Sequence, residues 1–366
     1  MLRMMLRMML RIKKYGTICS MKQKKFFLDM GVDDAGRAVR GMNQSAYRLK
    51  QLLKWVYKRK ADDFEKCSDL PAEFRKYLSD NFTLRTMTVA RRSESALDGT
   101  VRYTFALGDG ENVSAVYMPG KDRNTVCLST QVGCPVGCSF CASGKVKFRR
   151  NLSPGEILEQ VFRISGEENT GIDSILFMGM GEPLLNYRNV VSALKAMTDA
   201  GRMGMSRRSI VISTIGLVQK IKRLAGDDSI AVRLALSLHA PSDSIRAKLI
   251  PARMHHTVKD ILDAGLRYGR KSRSRLTVEY ILVAGINDTA ECAKKLYYLI
   301  SGSMKKRDRI QVNLIPFNAA GIKGFSAPPD ETVRAFSKYL SSRGILTTVR
   351  RSRGADIGAA CGQLTA

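Results

Sequence analysis

The sequence predicts an α/β fold whose largest part, residues 124–350, is a parallel β/α barrel or part-barrel. Apolar runs rich in β-branched residues recur along this part, from TVCLST near its start to ILTTVR at its end. Amphipathic stretches with helical spacing lie between most of these runs, which is the pattern of βα units with buried parallel strands. No G-x-G-x-x-G motif opens a unit, which favours a barrel over a doubly wound sheet.

The chain before the barrel divides into three segments. Residues 1–42 have no defined fold, and arginines interrupt their opening repeat MLRMMLRMMLR, which excludes a secretory signal. An Arg-rich organelle presequence and a mis-assigned start upstream of Met21 are two interpretations of residues 1–20, and the second is favoured. Residues 43–85 indicate a small basic helical domain, and residues 86–123 indicate a short β extension with a turn at GDG.

The helical domain has an apolar stripe between basic side chains. Leu52, Leu53 and Val56 fall at helical spacing, and Pro71 suits the start of a second helix. The basic face either binds RNA or is the solvated face of a structural cap, and the two interpretations are weighted equally.

The chain carries a large excess of positive charge. Its 366 residues include 61 Lys and Arg against 33 Asp and Glu, a formal net charge of +28. Such a field favours a polyanionic partner, with nucleic acid first and an anionic membrane surface second. No apolar run is long enough to span a bilayer, and a generally basic proteome is the plain alternative.

Basic clusters punctuate the predicted barrel and together indicate an RNA footprint that grips phosphates without reading bases. A target base must leave its stack to reach a buried pocket, which is easiest in single-stranded or loop RNA. The clusters are residues 145–150, 207–209, 270–275, 305–309 and 350–354.

Three cysteines in VCLSTQVGCPVGCSFCASG predict a metal centre. Cys134, Cys138 and Cys141 read C-x-x-x-C-x-x-C just after the first barrel strand, where barrel ligands are expected. Eight cysteines in a long chain with no secretory signal do not suggest a disulfide scaffold. Three thiolates on a [4Fe–4S] cubane leave one iron open for a substrate or cofactor. A structural zinc site is the alternative, although it prefers four closed ligands.

Several motifs resemble the RlmN/Cfr family of radical S-adenosylmethionine methyltransferases, from about residue 43 to the C-terminus. They are CLSTQVGCPVGCSFCASG, MGMGEPL, SLHAPSDSIRAKLIP, NLIPFN and RGADIGAACGQL, and they stand in the family's order. The resemblance implies a partial (β/α)6 TIM-like barrel of the radical SAM type, followed by a C-terminal loop over residues 351–366.

The resemblance also implies an activity and its partners. RlmN-type members methylate carbon 2 of an adenine in 23S rRNA and in tRNA, whereas Cfr-type members methylate carbon 8 of the rRNA adenine. DIGAACGQL and the N-terminal domain are more similar to the RlmN type. We therefore expect a cytoplasmic, monomeric enzyme without membrane association, which acts on 23S rRNA and tRNA and takes electrons from an external donor such as a flavodoxin.

The resemblance assigns roles to five cysteines. Cys134, Cys138 and Cys141 would hold a [4Fe–4S] cluster, and each turnover would use two molecules of S-adenosyl-L-methionine, one as methyl donor and one as radical source. The first methylates Cys361 in a polar step, since a thiolate is a good nucleophile. A radical from the second converts that methyl group into a methylene radical, which adds to the electron-poor adenine carbon. Cys127 would remove the ring proton and end in a disulfide with Cys361.

Further cofactor contacts carry over from motifs at strand ends. The glutamate of MGMGEPL matches the residue that contacts the amino group of the cofactor's methionine part, and a plain tight βα turn is the alternative interpretation. Groups from the other motifs would position the sulfonium and the ribose. The implied contacts are Gly181, Glu182, Ser213, Ser237, Leu238, His239 and Asn318.

One position departs from the family pattern. The family carries a glutamate, regarded as a general base, on the strand before VYMP, and this chain has Ser114 there. Serine is a poor base at neutral pH, and Glu111 would face the other way on a regular strand. We expect either that the glutamate is dispensable or that another group replaces it.

Two functions from other classes remain as alternatives. A radical enzyme with a small-molecule substrate would need neither the terminal cysteine nor the large positive charge. A zinc-stabilised, non-catalytic RNA-binding protein would be colourless as isolated and would ignore S-adenosylmethionine.

Overall fold

A computed structural model describes residues 24–251, 256–319, 322 and 324–365 of the chain. The opening segment 1–20, which has two interpretations, lies outside the described residues.

Ten α-helices occur in the described part of the chain. Several start at a capping side chain: Ser153, Thr257 and Thr289 each accept a hydrogen bond from a backbone N–H of the helix that follows. In chain order the helices are α1 (Val32–Gly41), α2 (Ala46–Leu53), α3 (Ala72–Asn81), α4 (Pro154–Glu167), α5 (Tyr187–Thr198), α6 (Val218–Gly226), α7 (Asp243–Leu249), α8 (Val258–Ser272), α9 (Ala290–Ser303) and α10 (Asp330–Ser341).

Fourteen strands occur in the same described residues. In chain order they are β1 (Lys25–Phe26), β2 (Phe82–Thr83), β3 (Thr88–Glu94), β4 (Val101–Ala106), β5 (Asn112–Met118), β6 (Thr125–Cys127), β7 (Gln131–Val132), β8 (Arg150–Asn151), β9 (Ser174–Phe177), β10 (Ile210–Thr214), β11 (Arg233–Ser237), β12 (Leu276–Leu282), β13 (Ile310–Pro316) and β14 (Leu346–Val349).

Ten of these strands form one sheet, in the order β14-β13-β12-β11-β10-β9-β6-β5-β4-β3. Strands β6 and β9 to β14 run parallel to one another, and helices connect them. The central strands are apolar because both faces are covered, and all seven residues of β12 are buried. The sheet stays open, with β14 and β3 at its edges, so the predicted partial (β/α)6 barrel is confirmed.

The helical segment before the barrel is built around the predicted apolar stripe. Leu52, Leu53 and Val56 are buried, and α3 starts directly after Pro71. A parallel pairing of β1 with β2 joins the two ends of this segment. Helix α1 lies within residues 1–42, a segment for which no defined fold is predicted from the sequence.

The β extension continues the barrel sheet as antiparallel strands. β3, β4 and β5 pair in turn, and β5 pairs antiparallel with β6. The predicted turn joins β4 to β5, where Gly110 has a φ of +83°. The buried carboxylate of Glu159, on α4, accepts hydrogen bonds from the backbone N–H groups of Thr86 and Met87. This contact fixes the extension to the first barrel helix.

The C-terminal loop folds back over the cysteine loop and the β extension. Its carbonyl groups accept hydrogen bonds from both regions, so the loop is held near its end. The bonds run from Ala142 N–H to Gly362 (2.7 Å), from the Ser143 hydroxyl to Leu364 (2.5 Å), and from Arg102 and the Ser114 hydroxyl to Thr365 (2.5 and 2.7 Å).

The basic clusters divide between the two edges of the parallel sheet. Residues 207–209, 270–275 and 305–309 directly precede β10, β12 and β13, at the amino edge. Residues 145–150 follow the cysteines, and residues 350–354 follow β14, at the carboxyl edge. Because barrel ligands bind at the carboxyl edge, only these last two clusters flank the expected site.

Some of the clustered arginines hold the fold together. Arg150 contacts Glu156 at 2.7 Å and Asp109 at 2.5 Å, and Arg353 donates to the carbonyl of Pro119 at 2.7 Å. These guanidinium groups already have protein partners, so fewer basic residues are available for the predicted RNA footprint than their count suggests. Among the described helices, none combines the length and apolar character that crossing a membrane requires.

Candidate active site

The cysteine loop begins directly after β6, at the carboxyl edge of the sheet. Gly133 has a φ of +71°, and a Cβ there would lie 2.3 Å from the carbonyl oxygen of Lys147, so this position requires glycine. The loop turns Cys134, Cys138 and Cys141 towards one cavity. The three predicted metal ligands are thus brought together.

This main cavity has about 910 Å³ of empty space and lies at the carboxyl ends of the barrel strands. Nine of the twelve predicted site residues line it, and three do not. The nine are Cys134, Cys138, Cys141, Gly181, Glu182, Ser213, Ser237, His239 and Cys361.

The three thiols have the chemistry that an iron–sulfur cluster needs. Burial raises the pKa of Cys134 to about 11 and that of Cys138 well above its usual range, and the neighbouring thiols add to the effect. Without a cation Cys134 and Cys138 would remain protonated, whereas bound iron stabilises thiolates. No three His, Cys, Asp or Glu side chains of the described residues are placed to share one metal ion. A [4Fe–4S] cubane does not require the three thiolates to share one ion, because each thiolate binds a different iron. The three cysteines therefore fit a cubane.

Glu182 is a buried carboxyl group at the wall of the main cavity. The backbone N–H groups of Leu184 and Ile215 donate to its two oxygens, each at 2.9 Å. Burial outweighs these bonds and raises the pKa of Glu182 to about 7. Gly181 before it has a φ of +96°, and a Cβ there would lie 2.6 Å from the side chain of Gln131. The turn therefore needs this glycine, and the carboxyl group suits a cationic ligand.

A row of polar side chains crosses the sheet from β10 to β14. The Oγ atoms of Ser213 and Ser237 are 3.1 Å apart. Asn313 donates to Oε1 of Glu279 at 3.0 Å and accepts from the Thr348 hydroxyl at 2.6 Å. Ser237 stands opposite Glu279 in the strand register, and Glu279 stands opposite Asn313. We call these five residues the polar row.

His239 is buried and held in one orientation. Its Nδ1 accepts a hydrogen bond from the N–H of Ile281 at 3.1 Å, and its ring meets Phe140 edge to face at 4.9 Å. Burial, with a smaller effect of Arg246, lowers the pKa of His239 to about 3. The imidazole is therefore neutral and carries its proton on Nε2. The neighbouring Leu238 is fully buried and lies outside the main cavity, unlike the residues on either side of it.

A second cavity of about 680 Å³ adjoins the first, and Cys361 lines both. Cys127 lines only the second. Burial, with a smaller effect of Cys361, raises the pKa of Cys127 to about 12, and desolvation also raises the pKa of Cys361. Asn318, which lines neither cavity, donates to the carbonyl oxygen of Cys361 at 3.1 Å. Asn318 thus contacts the loop that carries the thiol.

The predicted disulfide between Cys127 and Cys361 is absent, because both residues are free thiols in this structure. Two thiols form a disulfide only when an oxidant takes up two electrons, and the resemblance implies this pairing only at the end of the reaction. The pairing is therefore not part of the fold described here.

Ser114 and Glu111 lie apart from each other, as the strand pattern predicts. Ser114 is fully buried and contacts Thr365, whereas Glu111 precedes β5 and lies 3.6 Å from Arg149. Neither residue lines either cavity.

Sequence reasoning missed three charged residues around the site. Glu279 lines the main cavity, and Arg350 lines both cavities with a nitrogen 3.7 Å from Oε1 of Glu279. Arg246 is buried and donates to the carbonyl groups of Leu238 and Ile215. The glutamate inside the apolar run LTVEYIL could have indicated a functional residue, since burial of an unpaired charge is costly. Arg246 lies in the motif SLHAPSDSIRAKLIP and Arg350 opens the basic cluster 350–354, but neither was assigned to the site, because their surroundings come from distant segments.

Two family models match the chain. The radical SAM superfamily model matches residues 128–297, which span the cysteine loop and most barrel strands. The model described as ribosomal RNA large subunit methyltransferase N-terminal domain matches residues 25–84. The second match begins before residue 43, where the sequence resemblance began.

Relatives extend this likeness over nearly the whole chain. A protein of Endomicrobium trichonymphae named probable dual-specificity RNA methyltransferase RlmN is 42% identical over 341 residues, covering 93% of this chain and 97% of that protein. A protein of the same name from Thermus thermophilus is 42% identical over 321 residues, covering 87% and 88%. The crystal structure of a radical SAM methyltransferase from Sphaerobacter thermophilus superposes with a TM-score of 0.86 at 36% identity, covering 93% and 98%. The chain belongs to the RlmN/Cfr family of radical S-adenosylmethionine RNA methyltransferases.

Proposed function

We propose that the protein methylates carbon 2 of an adenine in 23S rRNA and in tRNA, with Cys361 as the methyl carrier. The observation that carries this proposal is the position of Cys361 in the walls of both cavities. A methyl carrier must meet its donor on one side and the target base on the other. The methyl donor would bind in the main cavity, and the target base would bind in the second cavity, which Cys127 also lines.

The main cavity is the proposed cofactor site. Cys134, Cys138 and Cys141 would hold the cluster, and Glu182 would accept hydrogen bonds from the ammonium group of the cofactor. Ser213 and Ser237, with the backbone around His239, would line the rest of the molecule. When bound, S-adenosyl-L-methionine supplies a methyl group for a thiolate. Together with the cluster, and after reduction by an external donor such as a flavodoxin, it also supplies a carbon radical. Each turnover uses two molecules of S-adenosyl-L-methionine.

The second cavity is the proposed place of the target base. Val116, Met118 and Leu176 give it apolar walls, which suit a flipped base. The exposed Arg351 at its rim suits the RNA backbone. Carbon 2 of adenine is electron-poor and cannot attack a methylsulfonium, so the methyl carbon must arrive as a radical on Cys361.

Cys127 is placed to complete the reaction. Once deprotonated, its thiolate is a strong base, because burial raises the pKa of Cys127 to about 12. It would take the ring proton from the radical adduct, while one electron would pass from that adduct to the oxidised cluster. Its thiolate would then attack the sulfur of Cys361 and break the bond between that sulfur and the methylene carbon. The released carbon would take up a proton to become the methyl group, and a disulfide between Cys127 and Cys361 would remain. The external reductant would restore both thiols before the next turnover.

The test starts from anaerobic purification, with iron content, the visible spectrum and the mass of the peptide that carries Cys361. Incubation with 23S rRNA and tRNA then precedes mass spectrometry of the nucleosides. We expect a brown protein, a methyl group on Cys361 and 2-methyladenosine in both RNAs. A methyl group at carbon 8 would make the protein Cfr-like, and a colourless zinc protein with unmodified Cys361 would overturn the radical mechanism. Cys127→Ala should accumulate a covalent protein–RNA adduct, whereas the matched Cys67→Ala, at a buried thiol outside both cavities, should not.

A further inference from the structure

The amino edge of the sheet carries a cavity of its own, formed by the end of α8, the start of β12 and the segment before β13. This amino-edge cavity lies at the opposite edge from the main cavity and shares no residue with the polar row. The charged residues that line it are four exposed arginines and one aspartate: Arg270, Arg273, Arg307, Arg309 and Asp308. Their excess of positive charge fits an anionic ligand.

Asp308 is the unusual member of this wall, because its buried carboxylate stands among arginines. The side chain is 1% exposed. Its Oδ2 atom is occupied, since it accepts hydrogen bonds from Arg270 at 2.7 Å and from the N–H of Lys305 at 2.9 Å. Its Oδ1 atom is buried and has no hydrogen-bond partner among the described residues. A buried acceptor without a donor is costly, so this oxygen indicates a ligand that supplies a hydrogen.

The end of α8 also forms part of this wall, and a helix C-terminus by itself favours a cation. Its last carbonyl groups are already bonded, however: Gly269 accepts from the N–H groups of Arg273 and Ser274. The carbonyl of Arg273 in turn accepts from the guanidinium group of Arg309 at 3.2 Å. The arginine side chains therefore dominate the charge of the wall, and the ligand has to be an anion.

An anion that fits this wall must combine negative charge with a hydrogen-bond donor. Sulfate and the phosphodiester groups of RNA are negative but carry no hydrogen at neutral pH. A hydrogen phosphate ion has both features, because its oxygens accept from guanidinium groups while its P–O–H group donates to a carboxylate. A phosphate monoester keeps such a hydrogen near and below its second pKa, which is about 6.

We propose that the amino-edge cavity binds a phosphate group that keeps one hydrogen. Oδ1 of Asp308 accepts that hydrogen, and the surrounding arginines donate to the other phosphate oxygens. Inorganic phosphate and a singly protonated phosphate monoester share this chemistry. The inference does not depend on the proposed function, since the cavity lies at the other edge of the sheet. The same carboxylate disfavours the RNA backbone here, because a phosphodiester would leave Oδ1 unpaired.

The test compares small anions by equilibrium dialysis against the anaerobically purified holoenzyme. Sulfate is the matched probe, because at pH 7.5 it resembles hydrogen phosphate in shape and charge but has no hydrogen. The wild type should bind inorganic phosphate at least tenfold more tightly than sulfate, as expected when a buried charged acceptor loses its donor. Methyl phosphate at pH 6 then separates the two sources. Tighter binding than inorganic phosphate identifies a monoester as the ligand, and weaker binding identifies inorganic phosphate.

Two variants separate the role of the carboxylate from that of the positive charge. Asp308→Asn keeps an oxygen for Arg270 and Lys305 and presents an amide N–H to the cavity, so it should bind phosphate and sulfate about equally. Arg309→Gln removes a positive charge but leaves the carboxylate in place. It should weaken the binding of both anions several-fold and keep the preference for phosphate.

Asp173→Asn is the matched control. Asp173 also directly precedes a strand at the amino edge and accepts from a backbone N–H, that of Asn124 at 2.9 Å, but it does not line the cavity. The control should keep the preference for phosphate.

Two results would overturn the inference: equal binding of phosphate and sulfate by the wild type, or a preference for phosphate that persists in Asp308→Asn. The first result needs no variant, so it decides the question even where Asp308→Asn fails to fold. Neither result affects the proposed function, which is tested by iron content, methylated peptide and modified nucleosides.

Discussion

The two edges of the barrel sheet each carry a cavity, yet the chemistry of the two cavities is opposite. The carboxyl-edge cavity is lined by buried groups such as Cys138, Glu182 and His239, whose pKa values are shifted by desolvation. The amino-edge cavity is lined by exposed arginines, among them Arg273 and Arg307. The presence of a cavity therefore does not by itself indicate a site of chemistry. Burial of reactive groups marks the site of chemistry, and exposed charge marks at most a place for a counterion or a phosphate.

Removal of one cluster thiol should produce the largest difference between substitutions at the two edges. Cys138→Ala leaves a cluster with two protein ligands, so we expect loss of most of the iron and of RNA methylation by about 1000-fold or more. The double substitution Arg273→Gln and Arg307→Gln at the amino edge should leave iron content and activity within about twofold. Iron analysis and methyl incorporation measure both. Comparable losses at the two edges would contradict the comparison.

Glu182→Gln should have the next largest effect. The variant keeps the shape of the side chain but loses the negative charge that would face the ammonium group in the proposed cofactor site. We expect binding of S-adenosyl-L-methionine to weaken by about 10-fold to 100-fold, the range for a hydrogen bond to a charged group. Equilibrium binding to the reconstituted protein measures it. Unchanged binding would exclude Glu182 from the cofactor site.

The same residue predicts a dependence of stability on pH in the metal-free protein. Burial raises the pKa of Glu182 from the ordinary 4.5 to about 7, so the folded state holds a proton that the unfolded state has released. The free energy of unfolding should therefore fall as pH rises from about 4.5 to about 7, by at most about 3 kcal/mol, and the contribution should level off above that. Urea unfolding of the wild type and of Glu182→Gln at pH 5 and pH 7.5 checks this. Equal pH dependence in both proteins would contradict it.

Restoring the family's glutamate should cost stability in this chain. Ser114 donates a hydrogen bond to the carbonyl oxygen of Thr365, and an ionised glutamate has no hydrogen to donate. We expect Ser114→Glu to destabilise the fold by about 1–3 kcal/mol, and Ser114→Ala by about 1 kcal/mol. Urea unfolding gives both values, and limited proteolysis of the C-terminal loop shows whether the loop is released. A Ser114→Glu protein as stable as the wild type would mean that the loop accepts a second arrangement.

The smallest expected effect concerns RNA binding at the two edges. Arg351 is exposed at the rim of the second cavity, whereas Arg273 is exposed at the amino edge. Arg351→Gln should weaken tRNA binding a few-fold and lower the slope of log affinity against log salt by about one. Arg273→Gln should change neither. An effect of Arg273→Gln equal to that of Arg351→Gln would place RNA on both edges.

The sequence predicts the strand-and-helix order and the cysteine loop well, because both depend on local patterns. Apolar runs specify β9 to β13, and the cysteine spacing specifies which thiols share a cavity. Glu279, Arg246 and Arg350 escaped prediction, since their partners are distant in sequence and become neighbours only when strands pair. The basic clusters were partly misinterpreted for the same reason. Arg150 and Arg353 belong to predicted RNA-binding clusters, but in the fold they contact Glu156 and the carbonyl of Pro119.

The place of Cys361 in two cavity walls has a consequence for inhibition. A single electrophile anchored on that sulfur could extend one arm into each cavity. Under the proposed function, one such molecule would exclude both the cofactor and the target base. The rate of alkylation at Cys361 would report whether either cavity is filled. In Cys127, by contrast, burial leaves the thiol open to attack only from the second cavity. A reagent directed at Cys361 would therefore block both proposed binding sites through one atom.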